Sequence, residues 1–200
     1  MMLAPNVICV LETSKARNYH IMPFFKTVAL CVGAAVFYGI VHDQITARLS
    51  IEYFTVAHPP IVISDSPTVQ GLVWGIVATW WSGVLIGVPL AIVARSGECQ
   101  PWDEKCLRKP IAVLLIIMAI GALLSGLTGY FLAQSGRVVM DVGYADAIPT
   151  SQHVRFVAAA WAHNASYILG FVGGVVLILR IWLARCGTAL NEGLKLKEKR

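Results

Sequence analysis

GLVWGIVATWWSGVLIGVPLAIVA, residues 71–94, contains no charged side chain and repeats small residues at Gly71, Gly75, Thr79, Gly83 and Gly87. A stretch of this length at 1.5 Å rise per residue crosses a hydrocarbon core, which takes roughly 20 apolar residues. Steps of four keep the small residues on one ridge, drifting about 40° per step on a helix of 3.6 residues per turn. In lipid the hydrophobic effect does not press helices together, so such ridges mark the faces where backbones approach closely. One segment thus fixes both the solvent the chain lives in and the way its helices meet.

Three more stretches have the same character: about 23–45, with its apolar heart at VALCVGAAVFYGIV (28–41), then 110–133 and about 156–183. The small-residue device recurs at Gly121, Ser125 and Gly129 in the third, at Gly170 and Gly174 in the fourth, and at Ala35 and Gly39 in the first. Backbone groups in lipid must bond within their own segment, so the expectation is an all-α membrane protein, a four-transmembrane-helix bundle. The composition agrees: 57% hydrophobic and 14% charged residues, where a globular chain carries about 25% charged. The organisation reads as a flexible segment at 1–21, a membrane domain at 22–185 and a basic tail at 186–200. Met22 is an alternative start, and the first span reads as an uncleaved signal anchor because no small-x-small cleavage site follows it.

Ser66-Pro67 has the form of an N-cap followed by proline at the first helical position. Pro110 is expected to open the third span in the same way, and Pro89 to bend the second. Trp161 and Trp182 suit the two membrane interfaces, whereas Trp80 and Trp81 fall mid-span and suit a lipid-facing or packing role.

Charge orients the bundle. Of 16 lysines and arginines, all but Arg48, Arg137 and Arg155 lie before or at the start of the first span, in the 95–109 loop or at the C-terminal end. Basic residues concentrate in cytoplasmic segments, so both termini are expected inside. The net charge of +5 is this bias, and no basic face recurs for nucleic acid. The tail LNEGLKLKEKR reads as solvated and topology-setting, with anionic lipid as its alternative contact. Cys9, Cys99, Cys106 and Cys186 then face the reducing side and Cys31 lies in the first span, which excludes a thiol oxidase with cysteines on the oxidising face. CQPWDEKC (99–106) lacks the spacing of a zinc pair.

The outward face holds HDQITARLSIEYFTVAHPPIVISDSPTVQ (42–70), with His42, Asp43, Glu52, His58 and Asp65; 134–155 adds Asp141, Asp146 and His153. The first helix is expected to run on through HDQITARLS until Pro59-Pro60 enforces an extended path. Without H-x3-H, H-E-x-x-H or a repeated acidic loop, these residues are read as caps and local pairs, with no metal assigned.

The fourth span carries AWAHNASYILGFVGG (160–174), with a polar group at His163, Asn164, Ser166 and Tyr167. His163 lies about 11 Å in from the start of the span and shares a face with Tyr167, Gly170 and Gly174. An ionisable residue there needs partners; Tyr38, Thr79, Ser125 and Thr128 are at comparable depth. Asn164-Ala165-Ser166 matches a glycosylation sequon, but a position inside a span rules out that use. Three roles follow for His163: a polar clasp between helices, a proton or ion path, or b-type haem ligation with His42.

YGIVHDQITARLSIEYFTVAHPP (38–60), SPTVQGLVWGIVATWWSGVLIGVPLA (66–91) and W-A-H-x-x-S-Y (161–167) resemble a family of bacterial integral membrane proteins with four spans. Ile51 stands where similar sequences carry proline. The resemblance implies a bacterial inner membrane and brings no activity with it. No span centre holds a lysine, aspartate or glutamate, and no nucleotide loop, nucleophile elbow or zinc-protease motif occurs. The expected role is therefore that of a structural or accessory component rather than an enzyme, without cofactor, in contact with the lipid bilayer and with a further copy or another membrane protein through its glycine ridge. A small transport protein is the alternative.

Overall fold

The computed structural model describes the backbone of residues 5–96 and 101–198, and the side chains of 22–96 and 101–185. The segments 1–21 and 186–200, read above as a flexible extension and a basic tail, lie outside the residues whose side chains are described, as do Cys9, Cys99 and Cys186. Among the described residues every regular element is helical: α1 (Pro5–Leu49), α2 (Glu52–Thr55), α3 (Pro67–Val77), α4 (Trp80–Val93), α5 (Glu104–Gln134), α6 (Val142–Ala145), a 3₁₀ turn (Thr150–Gln152) and α7 (His153–Glu198). Four helical stretches are long and apolar enough to cross a membrane: Met22–Leu49, Pro67–Val93, Glu104–Gln134 and Thr150–Arg185. The protein is a four-helix membrane bundle.

The first helix continues to Leu49, as its sequence suggested. Its last turn is held by Arg48, which donates to the Gln44 carbonyl and side chain and to Thr68 Oγ1 at the start of α3. Two boundaries differ from expectation. The second span is interrupted at Ala78–Thr79, between α3 and α4, while Pro89 stays inside α4. There the Thr79 hydroxyl donates back to the Gly75 carbonyl, a side-chain bond that competes with the helical ladder. The third span opens at Glu104, not at Pro110, because Asp103 caps it by accepting from the Lys105 and Cys106 amides. Ser66 does occupy the N-cap position before Pro67, though its side chain makes no cap bond.

The spans form a ring in which the first lies beside the second and third, and the fourth beside the third and second. The first and fourth thus sit on a diagonal and meet at few positions. Glycine makes the first contact possible. A Cβ placed at Gly75 would lie 2.5 Å from Ile40 Cα, and one at Gly83 2.5 Å from Val32 Cα. Gly71 and Gly87 stand in the same way against Asp43 and Cys31. The ridge of the second span is therefore covered by α1 of the same chain. In the other pair Gly129 receives the Trp161 ring, Gly121 receives Leu169 and Gly170 the end of Met118, while Gly174 receives Ile86 of α4. Trp80 and Trp81 are half exposed on the outer surface, with Trp182.

The two ends close differently. At one, Leu90, Leu107, Ile111, Leu177 and Ile181 make a fully apolar plug. Beside it Arg95 ties α4 to α1 through Thr27 Oγ1 and the Pro23 carbonyl, and Arg185 reaches the Val93 carbonyl. At the other, the loops fold over as a cap: Phe54 and Trp74 pack with Ala47, and Met140 and Ile148 pack with Phe156 and Val157.

The close approach predicts a contrast between glycines. Gly83→Ala should lower stability by about 1–3 kcal/mol through forced separation from Val32. Gly33→Ala, where a Cβ meets nothing within 4 Å, should be neutral or stabilising by up to about 1 kcal/mol. Unfolding of purified protein in detergent measures both.

Candidate intramembrane polar site

The diagonal is bridged under the cap. His163 of α7 is 3% exposed and Asp43 of α1 is 4% exposed. His163 Nε2 lies 3.0 Å from Asp43 Oδ1. Its Nδ1 lies 3.2 Å from the Ala159 carbonyl, one turn back, and 3.3 Å from His42 Nε2. A carbonyl only accepts, so the Nδ1 facing Ala159 bears hydrogen. The Nε2–Oδ1 contact then holds a further proton, donated by the ring or by the carboxyl. His42, Asp43 and His163 each bring one ligating atom into a cluster no wider than 4.8 Å.

Aromatic rings enclose the cluster. Tyr53 of α2 lies over His163, with ring centres 4.2 Å apart, and Tyr38 stacks on His42. Burial raises the Tyr53 phenol above its ordinary value, so this ring stays neutral. His58 donates Nδ1–H to the Tyr53 carbonyl at 2.7 Å and packs on Trp74, which holds α2 down over the site. On the membrane side Tyr38 and Ser166 share a 2.8 Å hydrogen bond, a second bridge across the same diagonal.

A cavity of about 480 Å³ runs from this cluster toward the middle of the bundle, between all four spans. Tyr38, His42, Asp43, His163, Ser166 and Tyr167 reach it at the capped end; farther in, Ala34, Ala35, Leu114 and Met118 line it with Thr79 and Ser82, whose hydroxyls are taken up by the Gly75 and Thr79 carbonyls, and Leu177 closes it. Trp81, Leu85, Tyr167 and Phe171 line it from α4 and α7 and are themselves about half exposed, so a window opens between those helices. A second hollow of about 420 Å³ between α1 and α5 shares Tyr38 and His42 as its wall.

Several expected roles change. Asp43 is a buried partner of His163 across the bundle rather than an outward-face cap or local pair. Asn164 is exposed on the outer face of α7 and takes no part. Ser125 donates to the Trp161 carbonyl, Thr128 to Leu124 and Thr79 to Gly75, so none of these hydroxyls serves His163. Glu52 accepts from Ser50, and Asp141 caps α6 through the Gly143 amide. His153 donates to the Ile148 carbonyl. The His42 and His163 rings meet edge to face with centres 4.4 Å apart, which leaves no slot for a haem macrocycle between them. Sequence reading missed Tyr53 and Ala159 as members of the site.

No family model, no curated protein and no solved structure matches the chain. The site therefore rests on its own geometry.

Breaking a buried, hydrogen-bonded pair leaves an uncompensated polar group and costs about 3–5 kcal/mol. Asp43→Ala and His163→Leu should each lower the melting temperature in detergent markedly, while Asn164→Ala leaves it unchanged. Equal tolerance of all three variants would contradict this geometry.

Proposed function

We propose that the protein is an accessory component of the bacterial inner membrane, with both termini cytoplasmic, that binds one membrane-soluble amphiphile with a compact hydrogen-bonding head. The observation that carries this reading is the form of the 480 Å³ cavity: mostly apolar walls, with the imidazoles, the carboxylate and the phenols together at one end. Its volume falls within the range of about 300–1,000 Å³ usual for small-molecule sites, which join apolar walls to a few convergent polar groups. The head would meet the imidazoles of His42 and His163 and the Tyr38 and Tyr167 hydroxyls. The body would lie among Ala34, Ala35, Leu114 and Met118. The window between α4 and α7 faces the side of the bundle, so a ligand dissolved in lipid reaches it without crossing water.

The basic residues gathered at the plugged end support this orientation, in which the capped site belongs to the outer half of the membrane. A continuous ion path is the weaker reading: below the cavity the plug of Leu90, Leu107 and Ile111 offers no polar group to carry an ion onward.

The test is extraction. Protein purified in mild detergent should yield one organic-soluble amphiphile near one per chain by mass spectrometry, beyond the bulk lipids. Ala35→Phe, which fills the cavity, should abolish it while the protein still elutes as a folded species. Extracts holding only bulk lipid, or the same compound at the same amount in the filled variant, would contradict the proposal.

A further inference from the structure

We propose that His42, Asp43 and His163 form a binding site for one first-row divalent transition-metal ion, with an open coordination position facing the central cavity. The three side chains come from two helices that otherwise scarcely touch, and they bring two imidazoles and one carboxylate within 4.8 Å of one another. Metal bonds to imidazole nitrogen and carboxylate oxygen are about 2.0–2.2 Å long, so neighbouring ligand atoms sit roughly 3.0–3.5 Å apart. The 3.0 Å separation of His163 Nε2 and Asp43 Oδ1 is already that of two ligands on one ion. His42 supplies the third ligand atom, within 4.8 Å of the other two; its Nε2 rests 3.3 Å from His163 Nδ1 and turns toward the ion on binding.

The surroundings favour a metal as well. Ala159 accepts from His163 Nδ1 at 3.2 Å, which fixes the ring and leaves Nε2 as the ligating atom. An outer partner of this kind is what metal-bound histidines usually have. Two imidazoles and one carboxylate suit zinc, iron, cobalt or manganese better than calcium or magnesium, which take oxygen. All three residues also line the cavity, so three protein ligands leave a vacant position where a small molecule can coordinate. One carboxylate leaves a divalent ion with a surplus positive charge, and an anionic head group or hydroxide at that position would balance it.

This site does not depend on the amphiphile reading, since it follows from three ligand atoms and not from the cavity's volume. The experiment uses untagged full-length protein in detergent, stripped with chelator and titrated with Co²⁺. One ion per chain should bind, with visible d–d bands, and Zn²⁺ should displace it. His42→Ala, which keeps the His163–Asp43 bond and hence the fold, should weaken binding by about 100-fold or more, as loss of one ligand of three must exceed the roughly 10–100-fold effect of an outer-sphere change. Asp43→Asn should abolish binding, and His153→Gln should leave it unchanged. Absence of stoichiometric binding, or unaltered affinity in folded His42→Ala, overturns the proposal. Amphiphile recovered from metal-free protein with no Co²⁺ binding would defeat the metal site and keep the binding reading; the reverse result would do the opposite.

Discussion

The contact between His163 and Asp43 is what the capped half of the bundle is arranged around. Neighbouring spans have glycine surfaces on which to pack, but the first and fourth spans stand on a diagonal and share no such surface. Polar groups span that gap instead: Asp43 and His42 to His163, and one turn deeper Tyr38 to Ser166. Because these groups have no water in the bilayer to fall back on, their hydrogen bonds with one another define where the two helices stop. Tyr53, His58 and Phe54 then fold over the cluster as its roof.

The glycines and the polar cluster are linked through α1. The ridge at Gly71, Gly75 and Gly83 lets the second span lie against the backbone of α1, with Gly71 directly against Asp43. That side of α1 is thereby filled by backbone, and the adjoining side, bearing Tyr38 and His42, faces the bundle axis. Close packing on one side leaves room on the other, and the cavity occupies it. At the plugged end large side chains take that space, so the bundle is hollow in one half and solid in the other. The proposed binding site makes use of this asymmetry.

Much of this was legible in residues. Four spans followed from apolar length, and the inward position of His163 followed from its spacing to Gly170 and Gly174. The pairing was harder to read. Asp43 reads in the sequence as an outward-face cap or local pair, because a carboxylate past an apolar run normally marks the membrane surface. Yet it stands four residues after Gly39, on the ridge that meets the second span, and the helix continues to Leu49. Taken together, those two facts place it inside. The start of the third span departs from the proline rule because a specific capper competes with it: Asp103 overrides Pro110. The interruption at Thr79 depends on a side-chain bond to Gly75 that no periodicity reveals. Contacts between residues 120 positions apart, such as Asp43 with His163, leave no local mark at all.

The central claim, that Asp43 and His163 act as one unit across the diagonal, is tested most directly by a double-mutant cycle on metal-free protein. Stabilities of the native chain, Asp43→Ala, His163→Ala and the double variant would be measured under one detergent condition. A direct contact predicts that the double variant is less destabilised than the sum of the singles, by about 1.5 kcal/mol or more. Effects that add within about 0.5 kcal/mol would show two independent residues and contradict the account.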